Sequence, residues 1–141
     1  MSRSVSVTVM AYNEEATLAS AVTDVHAALE AFGDRAFEIL VVDDGSTDRT
    51  PELARDLARR YREVRVIRHP HNLGPGSAIL TGIRNSTNEV ICFHAADQQL
   101  DFRQVAGFIP LLDEHDLVIG SRLGRPGYTK TRLCASHIYI G

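Results

Sequence analysis

Asp43 and Asp44 stand side by side at the end of an apolar run and are followed by Gly45, in a stretch that reads EILVVDDGSTDRT. Adjacent carboxylates repel, and burial sharpens the repulsion. Such a pair at the mouth of a buried strand implies that something outside the strand needs them, as a ligand that supplies donors would. Two further loops carry matching chemistry. The first, MAYNEE, offers Tyr12, Asn13 and Glu14; the second, HAADQQLD, offers Asp97 and Gln99. An aromatic ring, several carboxylates and amides suit a nucleotide site: a surface for a base, acceptors for base N–H and ribose hydroxyls, and oxygens for a divalent cation.

The elements that position these residues follow from periodicity. Ser4 to Met10 is rich in β-branched residues and reads as a strand. From Glu14 to Phe32, Leu18, Val22, Val25 and Leu29 recur every three or four residues, which predicts an amphipathic helix ended by Gly33. Phe37 to Val42 is a continuous apolar run, as in a strand covered on both faces. Thr50 offers an N-cap with Pro51 at the first helical position, and Leu53, Leu57 and Tyr61 line one face of the helix that follows. Val64 to Arg68 reads as a third strand. Ser77 to Arg84 reads as a short helix with Ile79, Leu80 and Ile83 turned inward. Val90 to Phe93 is a fourth strand, Phe102 to Leu112 a helix, and Leu117 to Gly120 a fifth strand. Strands alternating with helices predict an α/β fold: a doubly wound, mostly parallel sheet of about five strands with helices on both faces. In such sheets ligands bind outside the carboxyl ends of the strands, where all three polar loops fall.

Composition narrows the class. The chain has 141 residues, a formal net charge of −3, 44% hydrophobic and 23% charged residues. That is one ordinary globular domain, able to bury a core without staples, and not a general nucleic-acid binder. Cys92 and Cys134 show no framework spacing, which points to a reducing, cytoplasmic compartment. Val5 to Met10 is too short for a signal peptide, and no apolar run reaches the roughly 20 residues that cross a bilayer. After Ser121 comes a basic stretch, Arg122 to Arg132, that includes Lys130, the sole lysine; LCASHIYIG follows, beginning like an apolar helix. We expect residues 1–122 to be a domain of their own and 123–141 to begin a truncated second half, or to dock on a partner. Apolar surface exposed by that tail would favour a homodimer.

Taken in order, VTVMAYNEE, EILVVDDGSTDRT, HNLGPGSAILTGI, ADQQLD and DLVIGSR resemble family 2 glycosyltransferases with the GT-A fold, and among them the dolichyl- or polyprenyl-phosphate mannose and glucose synthases. Each motif alone is weak; five in order, from Val5 to Arg122, form a specific signal. The resemblance implies transfer of a sugar from a UDP- or GDP-linked donor, with a polyprenyl phosphate as acceptor and a peripheral position at a membrane. It implies nucleotide contacts by Tyr12 and Glu14, with Met10 where the family has proline. Asp43 would bind the base, Val41 would line the same pocket, and Arg122 would face the donor phosphates. The Asp-x-Asp motif that binds Mg²⁺ or Mn²⁺ reads Ala95-Ala96-Asp97 here. The ion would be left with Asp97, Gln99 as a neutral ligand, the diphosphate oxygens and water. His94 suits softer metals and should alternate away from Ala95. In relatives the general base and acceptor site lie in a second half; Asp116 and Asp101 are candidates only by proximity to strand ends.

Other readings stand beside this one. The acidic pair is also turn chemistry, and Asn13-Glu14 also suits a helix start. Gly74-Pro75-Gly76 is better read as a turn than as a dinucleotide fingerprint. His69 and His71 lack a third ligand nearby and read as surface histidines. A nucleotide-binding module without turnover fits the loss of the first aspartate at Ala95. A phosphoacceptor receiver fits poorly, because its acid pair would follow the first strand.

Overall fold

The computed structural model describes residues 3–120. Arg122 and the 123–141 segment lie outside the described residues. β1 (Val5–Ala11), β2 (Phe37–Asp43), β3 (Val64–Arg68) and β4 (Val90–Ala95) form one parallel sheet in the order β3-β2-β1-β4. The helices α1 (Leu18–Glu30), α2 (Thr50–Arg60), α3 (Pro75–Asn85) and α4 (Phe102–Ala106) supply the crossovers and layers, and a 3-10 turn spans Ile109–Asp113. After β1 the chain moves to β2 and β3 on one side, then returns to place β4 on the other. The direction of winding reverses between β1 and β4, the switch point at which such sheets open a crevice.

Alternation along the strands divides the side chains between two layers. Val5, Val7, Val9, Ile39, Val41, Val64, Val90 and Cys92 are buried with Leu18, Val22, Val25 and Leu29 of α1, Ala54 and Leu57 of α2, and Phe102 of α4. The opposite face is covered by α3, which touches β1 and β2. Its inward positions are Ala78 and Gly82, while Leu80 and Ile83 are half exposed. This corrects the expected inward apolar stripe. The cause is close approach: a Cβ at Gly82 would overlap the side chain of Thr8 on β1, so only the smallest residue lets α3 lie flat there.

Two further expectations change. Leu117–Gly120 forms no strand; it is irregular, with Leu117 and Ile119 well exposed. A four-residue apolar run cannot reveal whether a partner edge will be there to pair with it. The expected Phe102–Leu112 helix breaks after Ala106 at Gly107 and resumes as the 3-10 turn, with Pro110 inside it.

A buried acid ties the amino-terminal half of the sheet together. Glu38 on β2 accepts from Ser6 Oγ at 2.6 Å, from Thr87 N at 2.7 Å and from Arg65 Nη2 at 2.7 Å. It joins β1, β2, β3 and the loop before β4. Burial alone would push its carboxyl up, but the bonds from Ser6, Thr87 and Arg65 outweigh that and hold it at about 2. A depressed carboxyl stabilises the fold above its ordinary value of 4.5, and the contribution is lost as pH falls from there towards about 2. Glu38→Gln is expected to cost about 2 kcal/mol at neutral pH and to flatten the acid limb of stability, measured by urea unfolding across pH.

Candidate functional site at the carboxyl edge of the sheet

The register sets the site. Ala11 pairs with Asp43, and Met10 pairs with Ala95. Asp44 N donates to Ala11 O and Ala96 N donates to Met10 O, both at 2.9 Å. The loops after β1, β2 and β4 therefore leave the sheet side by side, with adjacent strands about 4.8 Å apart. Tyr12, Asp43, Asp44 and Asp97 are gathered on one edge, and the loops carrying Tyr12 and Asp97 flank the switch point.

The loops after β1 and β2 are stitched into one platform. Asn13 N donates to Ser46 Oγ (2.9 Å), Thr47 N to Asn13 Oδ1 (2.9 Å), Glu14 N to Thr50 Oγ1 (2.8 Å), Glu15 N to Asp48 Oδ2 (3.1 Å) and Arg49 N to Glu15 Oε2 (3.0 Å). Asn13 adopts φ 53°, a left-handed conformation that asparagine tolerates. Contrary to the expectation from sequence, Thr50 does not cap its own helix; its hydroxyl serves the other loop, while Asp48 Oδ1 accepts from Thr50 N at 2.9 Å. The Glu14 carboxylate accepts from Thr17 Oγ1 at 2.7 Å, next to the start of α1. Tyr12 stands clear of this network, 45% exposed.

The adjacent acids are both buried and turn to different partners. Asp43 Oδ1 accepts from Ser46 N at 2.9 Å. Its Oδ2 lies 3.1 Å from Arg68 Nε without hydrogen-bond alignment, and Arg68 Nη2 donates to Ser46 O at 3.0 Å. Asp44 accepts from Leu73 N and Gly74 N, each at 2.9 Å, and faces His69 Nδ1 at 2.6 Å. Burial would raise the Asp44 carboxyl, but His69 and the two backbone donors prevail and hold it below the ordinary carboxylate value. So the repulsion that the sequence left to a ligand is relieved within the fold, by Arg68 for one acid and by the loop after β3 for the other. Sequence reasoning missed Arg68 and assigned His69 to the surface. The only sequence signal for either was a position at the end of β3.

Elsewhere the expected residues differ in access. Val41 is fully buried in the core, as is Asp43, and Ala96 is buried too. Met10 is partly buried. Ala95, Asp97 and Gln99 are exposed. Asp97 Oδ1 accepts from Gln99 N at 3.1 Å, a tight turn helped by Gln98 at φ 55°. His94 turns away from Ala95, as strand alternation requires, and packs edge-on against Phe102 at 5.3 Å. Its burial pushes the imidazole towards the neutral form. Among the described residues no cluster of three His, Cys, Asp or Glu side chains is placed to hold a metal ion. One exposed carboxylate fits an ion that arrives already bound to a diphosphate, not one the protein holds alone.

A family model described as glycosyl transferase family 2 matches residues 6–137. The chain belongs to that family. It is 34% identical over 128 residues to dolichyl-phosphate beta-glucosyltransferase ALG5D of Trichomonas vaginalis, covering 84% of this chain and 39% of that protein. It is also 34% identical over 124 residues to a dolichol-phosphate mannosyltransferase of Pyrococcus furiosus, covering 87% and 34%. Among solved structures it resembles the mannosyltransferase PcManGT of Pyrobaculum calidifontis in complex with GDP-Man and Mn²⁺, with TM-score 0.64 and 27% identity over 79% of this chain and 33% of that one. This family member thus has the GT-A architecture, and it spans little more than a third of the length of the curated relatives it matches.

Proposed function

We propose that this family 2 chain is the donor-binding part of a glycosyltransferase that moves a sugar from a UDP- or GDP-linked donor to a polyprenyl phosphate. The observation that carries the reading is the strand register, which brings the loops of Tyr12, Asp43-Asp44 and Asp97 to one edge across the β1/β4 switch point. Tyr12 offers an exposed ring for the base. Met10, Glu14 and Asp43 shape the wall around it, and the family resemblance assigns Arg122 to the donor phosphates. Asp97, with Gln99 beside it, meets a Mg²⁺ or Mn²⁺ carried in on the diphosphate. Such an ion, held there, would supply neutralisation of charge on the leaving diphosphate. The acceptor oxygen attacks the anomeric carbon as the bond to the diphosphate breaks, and a base in the remainder of the protein takes any acceptor proton. A polyprenyl acceptor would place the protein at the cytoplasmic surface of a membrane; among the described residues no helix is long and apolar enough to cross one.

A binding module without turnover is favoured by one observation: Ala95 leaves the metal motif with a single carboxylate. Incubating the full-length protein with UDP-glucose or GDP-mannose and a polyprenyl phosphate separates the two. The enzyme reading expects release of nucleoside diphosphate that requires Mn²⁺ and stops on chelation. Tight nucleotide binding with no release under any of these conditions would leave the module.

A further inference from the structure

Behind the acidic turn lies a buried chain of groups that the sugar-transfer reading does not use. His69, at the end of β3, is buried between Asp44 and α3, with Nδ1 2.6 Å from Asp44 Oδ1 and Nε2 2.8 Å from Thr81 Oγ1. An ionised carboxylate only accepts, so Nδ1 carries a proton and donates it to Asp44. The same carboxylate holds Leu73 N and Gly74 N. Gly45, at φ 73°, packs so closely on the backbone of His71 and Asn72 that a Cβ there would overlap them. The 69–74 loop is thus clamped flush beneath the Asp43–Ser46 turn, and it presents Leu73, 47% exposed, at the carboxyl edge of the sheet.

We propose that His69 is a positioning residue for donor recognition: the Asp44–His69–Thr81 chain fixes the 69–74 loop as a wall of the base pocket. The inference rests on the donor-site reading above. A purely structural clamp would cost stability alone. A positioning role also sets how well one base is told from another, because discrimination needs a wall held in one place. Thr81 fixes the ring from the α3 side, so the loop's position is referred to the sheet-covering helix and not only to the neighbouring turn.

The test is calorimetric titration of the full-length protein with UDP and with GDP, alongside thermal unfolding. His69→Leu is expected to weaken binding of the preferred diphosphate about 10-fold and to reduce the UDP/GDP discrimination at least about 3-fold. His69→Asn, whose amide nitrogen sits near the place of Nδ1, is expected to recover most of both. Thr81→Val keeps the Asp44 contact and is expected to give a smaller loss in the same direction, and it serves if His69→Leu does not fold. Unchanged affinity and discrimination in every folded variant would overturn the proposal, as would equal weakening of both diphosphates that merely tracks lost stability. If the wild-type protein binds neither diphosphate, the donor-site reading itself falls, and this inference with it.

Discussion

Asp44→Ala is expected to lower the unfolding free energy by about 3 kcal/mol or more, the largest loss from any single site at the carboxyl edge. The carboxylate is 4% exposed as a residue and accepts from Leu73 N, Gly74 N and the His69 ring. Truncation strands Leu73 N and the His69 Nδ1 proton, while Gly74 N keeps Asn72 Oδ1 at 3.0 Å, and each unsatisfied buried group costs roughly 1–3 kcal/mol. Asp44→Asn retains part of the acceptor capacity but turns an amide N–H towards other donors, so it is expected to fall between. Because the folded carboxyl is held below its ordinary value, its contribution is present at neutral pH and fades as pH falls below the ordinary carboxylate range. Urea unfolding of wild type and variants at neutral and acidic pH reads both effects. A loss under about 1 kcal/mol at neutral pH would mean that the loop after β3 does not depend on this clamp.

Asp97→Ala is expected to reduce donor turnover by on the order of 10² to 10³ and to abolish its response to Mn²⁺. Asp97 is exposed and, among the described residues, its side chain accepts only from Gln99 N within its own turn, so stability should change by no more than about 0.5 kcal/mol. The reverse change is as informative. Ala95 is exposed and pairs with Met10 at the switch point. Ala95→Asp would return a second carboxylate to the metal motif and is expected to lower the Mn²⁺ concentration needed for half-maximal activity about 10-fold. Nucleoside diphosphate release by the full-length protein, titrated with Mn²⁺, checks both. Turnover in Asp97→Ala equal to wild type would remove this residue from the chemistry.

The fold was legible in the sequence where periodicity is local. The valines at 5, 7 and 9, the Phe37–Val42 run and the spacing of Leu18, Val22, Val25 and Leu29 marked elements whose cores are found where expected. Expectations failed where structure depends on distant partners. Leu117–Gly120 had a strand's composition but pairs with nothing among the described residues. On α3, hydropathy favoured Ile79, Leu80 and Ile83 as the inner face, yet Thr8 lies so close that the small residues Ala78 and Gly82 take it.

The loops at the strand ends were legible in the sequence, and the hydrogen bonds that join them were not. Nothing in DDGSTD tells that Thr50 serves Glu14, or that Asp44 looks to a histidine 25 residues on. Such bonds join loops that only the parallel sheet makes neighbours. The acidic pair illustrates the difference. Charge repulsion was a sound inference, but its relief comes from Arg68 and His69, which sequence gave no reason to place there.

Co-crystallisation of the full-length protein with UDP or GDP and Mn²⁺ tests the donor site most directly. The nucleotide is expected across the carboxyl ends of β2, β1 and β4, its base near Tyr12 and the Asp43-Asp44 turn and its diphosphate towards Asp97. A nucleotide seated elsewhere would contradict this, for instance in the cleft of about 490 Å³ at the opposite edge, lined by Arg35, Glu38, Arg62 and Arg65.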